Sequence, residues 1–497
     1  MSKFSTLLGN IVKENNISVY SLSKELGCGR TWLQKVLSGE RHMDLNSFVV
    51  LRKILMTYVD GIGLDYLYEP FAMDYFGQSE YRVITYIKER LLETQRLEDY
   101  IRRTDKASFR LHNYLAENCF LDLDEDEKRL AEKMEMLLIE EIQDFQSGQG
   151  VFKLYIHIPS KWKYLKNLLL TLLSIYNVRY TTQFKYIADS GYKEHAELIR
   201  IENFLTAAEF ASYGFNSYVD ESISDWQTYS DTLFPYYVIT AEKLLIITDD
   251  GRTFIETTEK DVIDNVCSRF ERVASEKKMF MTAVNAGMYN SVVMDRGVND
   301  IEDYFEISNS LNIDKFYSTD DLRRILPTDY ADREFMIQTL DTFFETLRNT
   351  DTSTYFTLDS VRHFMENGQG KEEGESASEF TNDISNNIKL QLLKKLCEYY
   401  KAGNGSIHML KAGQYLASDH IHIFGWKEKV ICVTNTLYGR ERGLGAMAVV
   451  QSPAIARHLY HYDQYIMNSQ ICLDKDNSLK VLENLIRAYE DDGRFSA

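Results

Sequence analysis

The chain has 497 residues, 44% of them hydrophobic and 13% aromatic, and a formal charge of −19 at neutral pH. It is too long for one domain, too apolar for a disordered protein, and too acidic as a whole to bind polyanions over its full surface. No run of about twenty apolar residues occurs and the start lacks a basic-then-apolar leader, so a cytoplasmic protein without a membrane partner is expected. The six cysteines (Cys28, Cys119, Cys267, Cys397, Cys432, Cys472) have no paired spacing. A zinc ribbon, a redox pair or a disulfide framework is therefore not expected.

In chain order, a helix over Phe4–Asn15 is followed by the most informative stretch, residues 18–41. It reads as two short helices joined at Gly27. Ser18 suits an N-cap, Leu22 and Leu26 share an inner face, and Gly27 takes a left-handed backbone cheaply. The second helix turns Leu33, Val36 and Leu37 inward and Arg30, Thr31, Gln34 and Lys35 outward, and Ser38-Gly39 ends it. Those outward side chains hydrogen-bond base edges and phosphates. A further helical stretch runs from Leu45 to Met56.

Residues 3–56 resemble the Cro/repressor (XRE) type of helix-turn-helix domain, with matches at Leu22, Gly27, Leu33, Val36 and Gly39 and a basic residue at Arg41. Val19 and Trp32 depart from the pattern, standing where the family has a phosphate-contacting Gln and a small residue. The resemblance implies duplex operator DNA as partner, with Arg30, Thr31, Trp32, Gln34, Lys35 and Arg41 as DNA-binding residues. It also implies a homodimer reading two half-sites. Charge agrees with this. Eight Lys/Arg against four acids give residues 1–56 a charge of +4, so the rest carries −23, which confines polyanion binding to the head.

Thr57–Gln78 reads as an ordered, aromatic connector, and Ser79–Lys106 and Asp124–Phe145 as two long helices expected to pack together or dimerise. Beyond Val151 strands and helices mix: strands at Val151–Ile158 and Val178–Ile187, helices at Lys161–Ile175 and Glu194–Ser212. A hairpin of Tyr236–Thr240 and Leu244–Thr248 follows, and then a helix over 259–276. Helices are expected at Asp300–Asn309, Thr319–Ile325, Asp332–Arg348, Leu358–Asn367 and Asn382–Tyr400, with a flexible loop at 368–378. A second hairpin, Ile421–Gly425 with Val430–Thr434, precedes helices at Pro453–Met467 and Asn477–Glu490. The two hairpin-and-helix units share a Glu-Lys turn and a following Gly-Arg. They are either a duplication or two cases of a common unit.

The expected fold class is mainly α with α+β: an all-α helix-turn-helix domain (1–70), a helical connector (71–150), an α+β sensor domain (151–280), a mainly helical segment (281–400) and a second α+β unit (401–497). No catalytic signature is found: no phosphate loop, no G-x-S-x-G, no H-E-x-x-H and no dinucleotide fingerprint. Arg440, Arg442, Gly443 and Gly445 could hold an anionic effector. His420, His422, His458 and His461 read as packing and surface residues rather than metal ligands. No catalytic residue, metal or cofactor is expected. The reading is a bacterial, sequence-specific transcriptional regulator, not an enzyme, whose body senses a small-molecule or peptide effector. The alternative is a helix-turn-helix-fused enzyme or defence effector using its head for autoregulation or targeting.

Overall fold

The computed structural model describes residues 2–59, 66–118, 123–147, 152–159, 162–176, 178, 184–188, 196–211, 215–219, 235–276, 279–284, 304–326, 328, 333–350, 352–367, 384–417, 421–426, 431–435, 446–450 and 452–492. The protein is mainly α with α+β.

Four helices build the head: α1 (Lys3–Glu14), α2 (Val19–Glu25), α3 (Arg30–Ser38) and α4 (Leu45–Tyr58). Each start has its local cause. Ser2, Ser18 and Asp44 accept from the backbone N–H groups of Ser5, Ser21 and Ser47, and α3 starts at Gly29 without a side-chain cap. Gly27 (φ +68°) and Gly39 (φ +77°) take the left-handed conformations that close α2 and α3. Phe4, Leu8, Leu22, Leu33, Val36, Phe48, Leu51 and Leu55 are buried together.

The head does not hang on a tether. In α5 (Tyr68–Phe76) the Phe71 ring stacks on Phe48 with centroids 3.8 Å apart and meets Phe4 edge-on at 5.4 Å. Tyr68 packs on Tyr465 and donates its hydroxyl to the Tyr465 carbonyl. Then come α6 (Gln78–Arg103), α7 (Leu111–Asn118) and α8 (Glu125–Gln146), the last opened by a capping box between Asp124 and Glu127. The two long helices, expected to pack together or dimerise, contribute to one core, with Leu97, Tyr100 and Ile101 of α6 and Leu130, Met134 and Leu137 of α8, and both also pack on the body, as named below.

The body repeats one topology. In the first copy β1 (Leu154–His157), α9 (Lys163–Ile175), β2 (Phe184–Ala188), α10 (Ala196–Ala211) and β3 (Asn216–Val219) form a parallel trio with helical crossovers. The antiparallel meander β4 (Tyr236–Ile239), β5 (Leu244–Ile247) and β6 (Phe254–Thr257) then joins the other edge of β1, and α11 (Lys260–Glu276) follows. After it, β7 (Met279–Val284) runs antiparallel beside β3.

In the second copy β8 (Tyr304–Ile307) is followed by α12 (Thr319–Ile325), α13 (Arg333–Arg348), β9 (Ser353–Phe356), α14 (Leu358–Asn367), α15 (Asn386–Lys401) and β10 (Ser406–Met409). Strands β9 and β10 pair in parallel, and β9 lies beside β8. The meander β11 (Ile421–Trp426), β12 (Ile431–Asn435) and β13 (Ala446–Val450) joins β8 antiparallel, and α16 (Pro453–Asn468) follows. After α16 the chain makes an antiparallel bridge, Leu410 to Cys472, beyond the end of β10, where the first copy has β7. Helix α17 (Lys475–Asp491) closes the described chain. Because β7 also pairs with β13, the copies share an eleven-stranded sheet in the order β6-β5-β4-β1-β2-β3-β7-β13-β12-β11-β8. The repeat is therefore larger than the hairpin and helix legible in sequence.

Some expectations change. Asp300–Asn309, read as a helix, contains the strand β8, whose four residues are all buried, Glu306 included. Strands β3, β6, β7, β9, β10 and β13 were not foreseen. At four to six residues each they are too short to show a period. The start of β10 also needs a glycine: at Gly405 (φ +76°) a Cβ would lie 2.3 Å from the Thr352 carbonyl oxygen. The loop read at 368–378 lies outside the described residues.

Helix α6 packs on α16, α10 and α9, and α8 packs on α9. Where α6 crosses α9 and α10, four charges are buried together. Arg90 Nε bonds Glu202 at 2.9 Å, Arg90 Nη2 bonds Glu209 at 2.7 Å, and Lys166 bonds Glu209 at 2.9 Å. Burial alone would raise the Glu209 carboxyl, but the two cations hold it down to about 2. Two cations against two anions leave no net buried charge. Removing one partner leaves an uncompensated ion, at a cost of about 3–5 kcal/mol. Arg90→Ala should therefore lower unfolding free energy in a denaturant titration by about that much. Arg103→Ala, at an ion pair whose side chains are 70% and 52% exposed, should stay within about 1 kcal/mol of wild type. Equal effects would contradict this account of the network.

Candidate nucleic-acid interface

Helix α3 lies with α1 and α2 along one side, and its pattern divides cleanly. Leu33 and Val36 are fully buried, while Arg30, Thr31, Gln34 and Lys35 are exposed. Arg41 is exposed just beyond the helix, where the Glu40 and Arg41 N–H groups both donate to the Lys35 carbonyl and turn the chain back. Trp32 differs from the other predicted contact residues. It is half-buried and packs against the core of the head, so most of its surface is spent on packing. Five of the six predicted DNA-binding residues thus lie exposed on α3 and just after it.

The head carries a net positive charge within an acidic chain. Lys3, Lys13, Lys24, Arg30, Lys35, Arg41 and Lys53 are all exposed, and none forms an ion pair among the described residues. The nearby acids are engaged by neutral donors instead. Glu25 accepts from the Tyr58 hydroxyl, Glu40 from Ser38 Oγ at 3.1 Å, and Asp44 from the Ser47 N–H at 2.9 Å. Burial would raise the Asp44 carboxyl slightly, but the Ser47 bonds bring it below its usual range. In the body Lys133, Lys163, Lys243, Lys394 and Lys401 each face a carboxylate, whereas Lys260, Arg269, Lys411 and Lys480 are exposed and form no ion pair among the described residues.

The histidines read as packing residues have acidic partners that sequence did not reveal. His458 and His461, one turn apart on α16, both direct Nδ1 at Glu80 Oε1 in the first turn of α6, each at 2.9 Å. His422 Nε2 lies 3.1 Å from Glu306 Oε1, and Asn312 donates to the other oxygen of that carboxylate. Asp463 is fully buried and accepts the Tyr355 hydroxyl at 2.9 Å, and burial pushes its carboxyl up to about 8. Among the described residues no group of three or more His, Cys, Asp and Glu could hold a metal ion. His420, Arg440, Arg442, Gly443 and Gly445 lie outside the described residues. Nothing in the sequence marked Glu80 or Glu306 as paired with histidine, because each needs a histidine more than a hundred residues away.

No family model matches the chain, and no curated protein matches it. Among solved structures it is similar to the phosphatidylserine synthase of Haemophilus influenzae Rd KW20, at 10% identity over 73% of this chain and 92% of that one, with a TM-score of 0.25. That score carries no argument about the activity of this chain. None of the comparisons supports the expectation of a sequence-specific transcriptional regulator, and it is set aside. The architecture agrees with the correction. An effector-driven shift of the heads needs a hinge between head and body, and here α5 is packed into both.

The Glu80 junction gives a pH test. Burial acts to raise its carboxyl, and the two histidines outweigh it, bringing the pKa down to about 2. A depressed carboxylate stabilises the fold above its unfolded value, near 4.3, and that stability is lost as pH falls toward about 2. Glu80→Gln should therefore cost roughly 2–3 kcal/mol near pH 5, above the carboxylate's unfolded value and below the ordinary histidine range. In urea titrations across pH, the gap to wild type should close below about pH 3. A gap that stayed constant down to acid pH would contradict the assignment.

Proposed function

We propose that the protein is a helix-turn-helix-fused effector whose head docks on duplex DNA and so targets the duplicated body to it. The observation that carries this reading is the exposed Arg30, Thr31, Gln34 and Lys35 on α3, in a head whose residues 1–56 carry +4 within a chain of −19. A net-positive surface on an otherwise acid-rich protein favours an external polyanion. The exposed Arg30, Thr31, Gln34 and Lys35 give that polyanion a surface of side chains suited to phosphates and base edges. The −23 carried by the rest of the chain keeps the polyanion on the head.

The test is titration of the full chain into a fluorescent duplex of mixed sequence, several helical turns long, over a range of salt. Wild type should bind, with affinity falling steeply as salt rises. Arg30→Ala/Lys35→Ala should lose roughly tenfold or more in affinity at low salt and flatten the salt slope by about two. Absence of binding at low salt, or binding unchanged in the double variant, would refute the reading.

A further inference from the structure

On α11 the sulfur of Cys267 faces the lysine that precedes β1. Lys153 Nζ stands 2.5 Å from Cys267 Sγ, although the two residues are 114 positions apart in sequence. The lysine is also held from a second side, with its ammonium 4.7 Å from the centre of the Tyr155 ring. That ring stacks on Phe270 at 4.8 Å and gives its hydroxyl to Glu271, both on the same helix as Cys267. No carboxylate pairs with Lys153 among the described residues.

The other described cysteines are placed differently. Burial pushes the thiols of Cys28, Cys397 and Cys472 up, that of Cys397 to about 11, which leaves little of the reactive thiolate. None of the three has a lysine within hydrogen-bond distance of its sulfur among the described residues. Cys267 keeps 8% of its surface exposed and Lys153 is half-buried, an opening suited to a small oxidant rather than a bulky thiol.

We infer that Lys153 and Cys267 form an oxidative cross-linking site whose co-reactant is a hydroperoxide, hydrogen peroxide in the simplest case. The thiol sulfur attacks the peroxide: an S–O bond forms, the O–O bond breaks and water leaves. Sulfur is oxidised by two electrons and the peroxide is reduced. The lysine nitrogen, already beside the sulfur, then attacks it. An N–S bond forms, the S–O bond breaks, and hydroxide departs as water with a proton from the amine. The product is a side-chain sulfenamide, two hydrogens lighter than the reduced pair, and two equivalents of thiol return the amine and the cysteine. Because the second step is intramolecular, it competes well with further oxidation to sulfinic acid.

The link has a structural consequence. Lys153 precedes the first strand of the first body copy, and α11 comes directly before β7, the strand both copies share. Joining them closes nearly the whole first copy into one covalent loop. Constraining so long a loop in the unfolded chain favours the folded state.

The experiment treats the full chain with rising doses of hydrogen peroxide at mildly alkaline pH, quenches with catalase, digests without reductant and reads the peptides by mass spectrometry. Peptides carrying Lys153 and Cys267 should appear joined, about 2 Da below their summed reduced masses, and should separate on adding dithiothreitol. The linked chain should run faster in a non-reducing denaturing gel and unfold at higher urea. Lys153→Arg and Cys267→Ser should each abolish the joined peptides, and Cys397→Ser should leave them unchanged. If peroxide carries Cys267 to sulfinic acid with no joined peptides at any lower dose, the inference is overturned. It is overturned as well if the link persists in Lys153→Arg, or if Cys267 stays reduced at a dose that oxidises Cys28.

Discussion

Phe71 lies face to face with Phe48 while Tyr68, one turn earlier, donates its hydroxyl to the Tyr465 carbonyl. One short helix is thereby bonded into the head on one side and into α16 of the second body copy on the other. The remaining contacts at this joint follow from that wedge. Tyr465 and Tyr81 both turn their hydroxyls to Glu69, and His458 and His461 close on Glu80. Buried aromatic surface supplies most of the attachment, and the carboxylates fix its geometry. A head held this way presents α3 at a constant orientation to the body. That suits a protein that carries its body to a site better than one that swings its heads apart.

The body makes a second use of the same economy. Two copies of one strand order meet at β7, which pairs with the first copy through β3 and the second through β13. Despite their shared strand order, the copies bury different polar groups. The first encloses the balanced square of Arg90, Lys166, Glu202 and Glu209, in which α6 supplies one cation. The second encloses single acids, Glu306 beside His422 and Asp463 beneath Tyr355. Helix α6 is thus bonded to both copies, through Arg90 and through Glu80. It ties the connector down along much of its length.

Legibility in the sequence followed the range of the interaction. Caps and turns are decided within four residues, so Ser18, Gly27, Gly39 and the long amphipathic helices could be read directly. The two hairpins could be read because β4 and β5 are continuous apolar runs and β11 and β12 are rich in Ile, Val and aromatic residues. Strand β8 could not: its acid Glu306 lies against His422, 116 positions away in sequence, and no local pattern records that. The same limit hid Glu80, Arg90 and the wedge on α5, whose meaning depends on Tyr465. Within the interface the exposed face of α3 was legible from its period, and Trp32 was the exception. A large aromatic on a helix edge can turn either to solvent or to the core, and here it packs.

The most direct measurement is hydrogen–deuterium exchange on the full chain with and without saturating mixed-sequence duplex at low salt. Docking on the head predicts slowed exchange in residues 18–41, spanning α2, the turn and α3, with the acidic body unchanged. Protection confined to the body, or none in the head at a concentration where the duplex is bound, would contradict it.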